Sequence, residues 1–255
     1  MFRLSQAHLN LLDICPPKFK QSYLMQGSSV PNPESEEKQI WGSRFHLLMQ
    51  QRELGLPIEP LLKEDSELDR CLKALVQAVP ELLTNDATQK REAEHTRTVR
   101  FDNYLLTVIY DLLIVEEHQG KIIDWKTYLK PRKRNKLAEN WQTRLYLYVL
   151  ANTSNYLPEQ LSMTYWFVRL PDKPQSQTFF YNEQMYHDTE KDLRELLSKL
   201  DRWLESNDHS SFPHRHDCQL NCPYTQELFF AQTTSNKGDR NQLLSDIENI
   251  LEIPL

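Results

Sequence analysis

The chain of 255 residues has only 5 glycines. It contains no Gly-x-Gly-x-x-Gly element and no Walker-type loop, so a nucleotide-phosphate cradle is not expected. Long apolar runs are also missing. The longest, Leu145 to Ala151, has seven residues, against the ~20 that a membrane helix needs. The first residues lack the charged, apolar and small-residue succession of a signal peptide. The expectation is therefore no membrane association and a cytoplasmic location. Cysteine is sparse, at 4. In a reducing compartment these read as metal ligands or core thiols before disulfides. There is no excess of positive charge: 30 Lys+Arg face 36 Asp+Glu, a net −6. Such a balance argues against coating nucleic acid through bulk charge. The charge is unevenly spread, however. Residues 121–150 hold eight basic and two acidic side chains, a local +6 that leaves −12 for the rest.

What is present points to one large domain, long enough to bury roughly three quarters of its unfolded surface. Residues 1–90 read as helical. Trp41, Phe45, Leu48 and Met49 share one helix face, and Leu68, Cys71, Leu72, Leu75, Val76 and Val79 make a second stripe. Gly27 to Ser35 reads as a loop from its turn residues. After Lys90 the chain becomes rich in Val, Ile, Thr, Tyr and Phe. It predicts strands near 92–101, 104–117 and 121–127, the last two joined around His118-Gln119-Gly120. A helix to about Ala151, strands near 161–170 and 176–182, and a helix marked by Leu193, Leu196, Leu197, Leu200, Trp203 and Leu204 complete a catalytic core over 91–206. The order implies α/β architecture, a mixed central β-sheet flanked by helices. One domain over 1–230 is expected, with a Cys/His loop at 207–224. A polar tail over 231–255 carries a short amphipathic helix near 241–252.

Two acids stand in strongly apolar strands: Asp111 within Val108–Val115 and Asp124 within Ile122–Thr127. A buried carboxylate without compensation is costly. A basic side chain, hydrogen bonds or a metal ion must offset it. Asp124 and Lys126 are two apart and share a strand face, and the hairpin brings Asp111 to the neighbouring strand. Two carboxylates suit a hard divalent cation such as Mg²⁺ or Mn²⁺. A lysine beside them can orient or deprotonate a water, or stabilise charge on a phosphoryl oxygen. Metal-assisted phosphodiester hydrolysis fits this set; a structural buried ion pair fits it as well.

The run Ile122-Ile-Asp-Trp-Lys-Thr127, with Asp111 before it, resembles the signature of the PD-(D/E)XK nuclease superfamily. More narrowly it is similar to the RecB-family nuclease domain. Gly42-Ser-Arg-Phe-His46 resembles that family's Gly-x-x-x-His, and Gln142-Thr-Arg-Leu-Tyr146 its Gln-x-x-x-Tyr, all in the family's order. The resemblance spans about Leu4 to Tyr224 and implies a restriction-endonuclease-like fold. It implies that His46, Asp111 and Asp124 bind Mg²⁺ or Mn²⁺, helped by the Trp125 carbonyl. Lys126 would activate or orient the attacking water, and Gln142 and Tyr146 would position Lys126 or the scissile phosphate. Gly42, one helical turn before His46, leaves room above the imidazole. The family commonly has glycine three residues before the first aspartate; here Val108 stands there and would crowd the sheet face or the DNA approach. Glu94 reads as a solvated strand residue, with an acid near the ligands or the nucleic acid as the weaker reading.

Cys15 stands near one end of the chain, and Cys218 and Cys222 near the other, in Phe212-Pro-His-Arg-His-Asp-Cys-Gln-Leu-Asn-Cys-Pro-Tyr224. This resembles RecB-like nucleases, including the CRISPR-associated RecB-like exonucleases, that tie their chain ends with an iron–sulfur cluster. Such a cluster takes four ligands, and the last cysteine of that pattern is missing here. An iron–sulfur cluster with unusual ligation, a Zn²⁺ site completed by His214 or His216, and no metal at all remain open. Cys71 lies in an apolar helix stripe and reads as core.

Lys126, Lys130, Arg132, Lys133, Arg134 and Lys136 fall within eleven residues at and directly after the end of the third strand. The last five are candidate phosphate contacts. Tyr128 and Tyr146 are candidates for stacking on single-strand bases, whereas Trp125 alternates into the core. The expected function is a metal-dependent deoxyribonuclease, exonuclease-like or acting on single-stranded DNA ends. DNA repair, recombination and CRISPR-type processing, with the protein partners of such complexes, are its expected settings. The alternative is a non-catalytic DNA-binding or scaffold subunit built on the same fold.

Overall fold

The computed structural model describes residues 2–25, 33–83, 89–170, 173–206 and 212–214. In chain order the elements are β1 (Phe2–Leu4), α1 (Gln6–Ile14), α2 (Pro16–Phe19), α3 (Pro33–Glu53), α4 (Glu59–Glu64), α5 (Ser66–Ala78), α6 (Pro80–Leu83), β2 (Lys90–Phe101), β3 (Tyr104–Val115), β4 (Gly120–Lys126), α7 (Arg134–Glu139), α8 (Trp141–Thr153), β5 (Leu161–Phe167), β6 (Gln175–Phe180) and α9 (Glu183–Glu205). The chain divides into two compact units. One is Met1–Arg3 with Lys38–Thr189, and the other is Leu4–Glu37 with Glu190–Leu255.

The first unit carries the sheet. Among the described residues it has six strands in the order β1-β3-β4-β5-β6, with β2 also paired to β3. β2–β3 and β3–β4 are antiparallel, and β4–β5 is parallel across the α7–α8 connection. The expected mixed α/β sheet flanked by helices is present. Strand β1 lies inside the segment that reads as helical; three residues are too short to show a period. Helix α3 starts at Pro33, inside the expected Gly27–Ser35 loop. Proline is well tolerated in a first helical turn, where its missing N–H is not needed. The expected tail helix lies outside the described residues.

Helices α3 and α5 cover one face of the sheet. Trp41, Phe45, Leu48 and Met49 of α3 and Leu68, Cys71, Leu72 and Leu75 of α5 form a cluster with Leu112, Ile114, Ile123 and Trp125. Helix α8 serves the other face, since the neighbours of Trp125 on its strand, Asp124 and Lys126, both bond to Gln142. The alternation holds along β4 but breaks in β3. Tyr110 lies edge-on to Tyr146 of α8 at 5.5 Å, while Leu112, two residues on, belongs to the α3–α5 cluster. A regular strand would put both on one face. The break falls at Asp111. Opposite it, Glu94 has φ 48°, and the ladder steps from Ala93↔Leu112 to His95↔Tyr110 with Glu94 and Asp111 left between. A non-glycine residue in the left-handed region costs about 1–3 kcal/mol.

The pieces around this break are pinned by a buried ion pair. Arg91 of β2 donates to both carboxylate oxygens of Glu53 in α3, at 2.7 and 2.9 Å, and to the Leu82 carbonyl of α6 at 2.8 Å. Both side chains are buried. The pair fixes α3, which carries His46, against β2, which carries Glu94. Removing one partner strands the other charge, so Glu53→Ala is expected to destabilise the protein by about 3–5 kcal/mol in urea unfolding. A loss below about 1 kcal/mol would remove this pair from the account.

The second unit contains α1, α2, a turn of π-helix over Lys20–Leu24 and α9 from Glu190 onward. Within it the Lys20 ammonium sits 5.5 Å above the Phe212 ring, which is 5.4 Å from Trp203. The segment around Lys20 therefore touches the last described residues within this unit. Cys15 is buried here, between α1 and α2.

Candidate functional site

Strands β3 and β4 pair from Val115↔Gly120 to Leu112↔Ile123 and then part. At the fork, one oxygen of the Asp111 carboxylate accepts the Trp125 N–H at 2.6 Å. Its other oxygen lies 3.3 Å from His46 Nδ1. Glu94 Oε1 approaches the same nitrogen at 3.8 Å. On the far side of the ring, His46 Nε2 bonds to the Trp125 carbonyl at 3.1 Å. One ligand atom from each of His46, Glu94 and Asp111 can be chosen so that all three lie within 4.8 Å of one another. One imidazole and two carboxylates are a fitting donor set for a hard divalent cation.

Burial by itself would lower the His46 imidazole. Asp111 beside it, then Glu94 and the charge of Asp124, outweigh that effect and raise it well above its ordinary value. A cation in this cluster would take over the work of that proton.

Asp124 and Lys126 form a second group next to the first. Lys126 Nζ is 2.8 Å from Asp124 Oδ2 and donates to Gln142 Oε1 at 2.9 Å. Gln142 Nε2 donates to Asp124 Oδ1 at 2.6 Å. The three side chains close a ring in which Gln142 gives one bond through its NH₂ and takes one on its carbonyl oxygen. All three are buried. Gln142 is placed by the first turn of α8, where Asn140 caps the helix by accepting the Gln142 N–H at 2.8 Å.

The expected residues thus fall into two sets. His46 and Asp111 come together with Glu94, which reads in sequence as a solvated strand acid and here has a largely covered side chain against His46. Asp124 belongs to the ring with Lys126 and Gln142, both of its oxygens engaged. Tyr146, one turn along α8 from Gln142, is buried against Tyr110 and accepts the Tyr110 hydroxyl on its carbonyl at 3.0 Å. Trp125 is in the core. Val108 is buried and faces Arg97 across the β2–β3 ladder. Gly42 serves a close approach: a Cβ there would meet Thr127 Oγ1 at 3.1 Å. The space it leaves is used by Thr127, the residue after β4.

A sequence signal for Glu94 does exist. The turn Asp102-Asn103 joins Phe101 to Tyr104 in two residues, with Asp102 at φ 49°. A two-residue hairpin fixes register, and counting back from it sets Glu94 opposite Asp111.

The basic segment is only partly available for phosphate. Arg132 stacks on Tyr128 at 5.2 Å, and Arg134 stacks on Phe179 at 4.6 Å while donating to the Thr178 carbonyl. Lys136 pairs with Glu139 at 3.2 Å. Lys130 and Lys133 are exposed. Cys71 is buried in the apolar cluster. Cys218, Cys222 and His216 lie outside the described residues. No helix among the described residues is long and apolar enough to cross a membrane.

His46 must shed its proton to take a cation, so Mn²⁺ affinity is expected to rise with pH until His46 is deprotonated and then level off. Calorimetry in two buffers of different ionisation heat should show about one proton released per Mn²⁺ at about pH 6.5. His46→Gln should abolish the release. Affinity that is flat with pH and free of proton release would contradict this reading of the cluster.

The model of the PD-(D/E)XK nuclease superfamily matches residues 3–226. No curated protein sequence matches the chain. Among solved structures, the Putative exonuclease from Eubacterium rectale is similar at 10% identity and a TM-score of 0.51, over 92% of this chain and 90% of that one. The crystal structure of SSO0001 aligns at 11% identity and a TM-score of 0.39, over 82% and 79% of the two chains. The first of these likenesses concerns the fold alone; the family match covers most of the chain, which belongs to the PD-(D/E)XK nuclease superfamily.

Proposed function

We propose that this chain is a Mg²⁺- or Mn²⁺-dependent deoxyribonuclease. In this reading it is exonuclease-like or acts on single-stranded DNA ends, in DNA repair, recombination or CRISPR-type processing. The observation that carries the reading is the adjacency of two groups at one strand fork: the donors His46, Glu94 and Asp111, and the closed ring Asp124–Lys126–Gln142. Nucleases of this superfamily use divalent metals, and the donor set fits one. His46, Glu94 and Asp111 would hold it, with Asp124 adding negative charge at the edge. When bound, the ion would supply Lewis-acid polarisation of the phosphoryl group.

The remaining work falls to the chain's own side chains. Lys126 presents an ammonium where charge develops on the phosphoryl oxygens and orients the attacking water. Asp124 and Gln142 hold that ammonium in place, and Tyr146 backs the helix that carries Gln142. Lys130 and Lys133, exposed after β4, contact the phosphate backbone without reading sequence. A local positive segment on an acidic chain supports salt-sensitive capture of one strand rather than coating.

Labelled single-stranded DNA, incubated with and without Mn²⁺, tests the reading. The parent should degrade it only with the ion. Lys126→Ala and Asp124→Ala should each lower the rate by at least about a hundredfold, with the circular-dichroism spectrum unchanged. Variants that degrade as fast as the parent would overturn the site assignment. Binding without cleavage by the parent would favour a scaffold subunit.

A further inference from the structure

Lys126 is held by more than its two polar partners. Its Nζ lies 5.3 Å from the centroid of the Tyr165 ring and 5.9 Å from that of Tyr128. Both are within the range where an ammonium is attracted to a ring face, and the attraction grows when the pair is desolvated. Lys126 is buried, and Tyr165 is fully buried.

Neither ring is there by chance of packing alone. Tyr165 sits on β5 directly beside Asp124, its partner in the parallel ladder. Its hydroxyl shares a hydrogen with Thr143 Oγ1 at 2.7 Å, and that hydroxyl donates to the Leu137 carbonyl at 2.5 Å. Thr143 follows Gln142 on α8. The same helix turn therefore anchors the amide that grips Lys126 and the ring that lies against it. Burial pushes the Tyr165 hydroxyl far above its ordinary range, so it stays neutral. Tyr128, two residues after Lys126, also takes the Arg132 guanidinium on its ring at 5.2 Å. Arg132 is tied back to β6, its carbonyl accepting from Gln177 at 3.0 Å. One ring thus lies against both Lys126 and the start of the basic segment.

We propose that Tyr165 and Tyr128 are positioning residues for Lys126, forming an aromatic cage that fixes its ammonium beside the scissile phosphate. A lysine side chain has many rotamers, and its freedom is costly to suppress. Asp124 and Gln142 hold the head of the chain in one direction. The two rings flank it without competing for its hydrogen bonds. The cage itself follows from the geometry. Its catalytic consequence rests on the nuclease reading above.

The test has one arm for each. In ¹H–¹³C spectra the Lys126 Hε protons, assigned with Lys126→Arg, should be shifted upfield by the rings. Tyr165→Leu should remove much of that shift, and Tyr165→Phe should keep it. In steady-state degradation of single-stranded DNA with Mn²⁺, Tyr165→Leu should lower kcat about tenfold. KM for DNA and the Mn²⁺ concentration for half activity should stay as in the parent. Tyr165→Phe should restore most of kcat, and Tyr128→Leu should act in the same direction as Tyr165→Leu. A purely structural role would instead move KM, metal dependence and stability together. Lys126 protons at ordinary shifts in the parent would overturn the cage. A normal upfield shift with no cleavage by the parent would leave the cage standing and remove the nuclease reading. An upfield shift with kcat unchanged in Tyr165→Leu would remove its catalytic consequence.

Discussion

One carboxylate bridges the strand fork and builds the site within it. Asp111 closes the gap where β4 leaves β3 by accepting the Trp125 N–H, and with its other oxygen it faces His46. Both jobs depend on the break in alternation at this residue. A regular strand would leave Asp111 on the face of its ladder neighbours and pair it flat against Glu94. Instead the backbone turns at Glu94, and both acids reach the imidazole from neighbouring strands. The strain of a left-handed glutamate persists because the surroundings over-determine it: the core cluster on one side, α8 on the other, and the Arg91–Glu53 pair between.

The rest of the site follows from ordinary alternation. On β4, Trp125 faces the α3–α5 cluster, so Asp124 and Lys126 face α8. Gln142, in the first turn of that helix, bridges them. The parallel neighbour β5 then brings Tyr165 beside Asp124. The fold therefore divides the charge work in two. His46, Glu94 and Asp111 form an acid-rich group suited to a cation, and Asp124 neutralises the lysine. Each buried charge has its compensation, which is what lets such apolar strands carry them.

Much of this is legible in the sequence. Asp111 and Asp124 stand out because acids are costly inside Val/Ile/Leu strands. The spacing of Asp124 and Lys126 gives their common face, and that of Gln142 and Tyr146 puts them on one helix face. What is not legible is where alternation fails. Nothing in Lys90–Phe101 announces a residue at φ 48°, since the strand around Glu94 carries mostly charged and polar residues and no glycine. Glu94 therefore reads as solvated, although the two-residue turn at Asp102-Asn103 carries its register. The different partners of Asp111 and Asp124 are also hidden. Both aspartates read as ligands in the sequence, and only the tertiary structure shows that one faces His46 while the other lies in the ring with Lys126 and Gln142. Tyr165 is invisible for a related reason: an aromatic in a buried strand reads as core, and its ring is indeed packed there. Only the tertiary placement of Lys126 gives that ring a second use.

Mn²⁺ affinity, measured by electron paramagnetic resonance on the parent, Glu94→Gln and Asp124→Asn, addresses the central claim most directly. If the ion is held at the fork by His46, Glu94 and Asp111, Glu94→Gln weakens binding by about tenfold or more. Asp124→Asn, which removes only a neighbouring charge from the cluster, weakens it less. Parent-like affinity in Glu94→Gln, together with loss of binding in Asp124→Asn, would contradict the account.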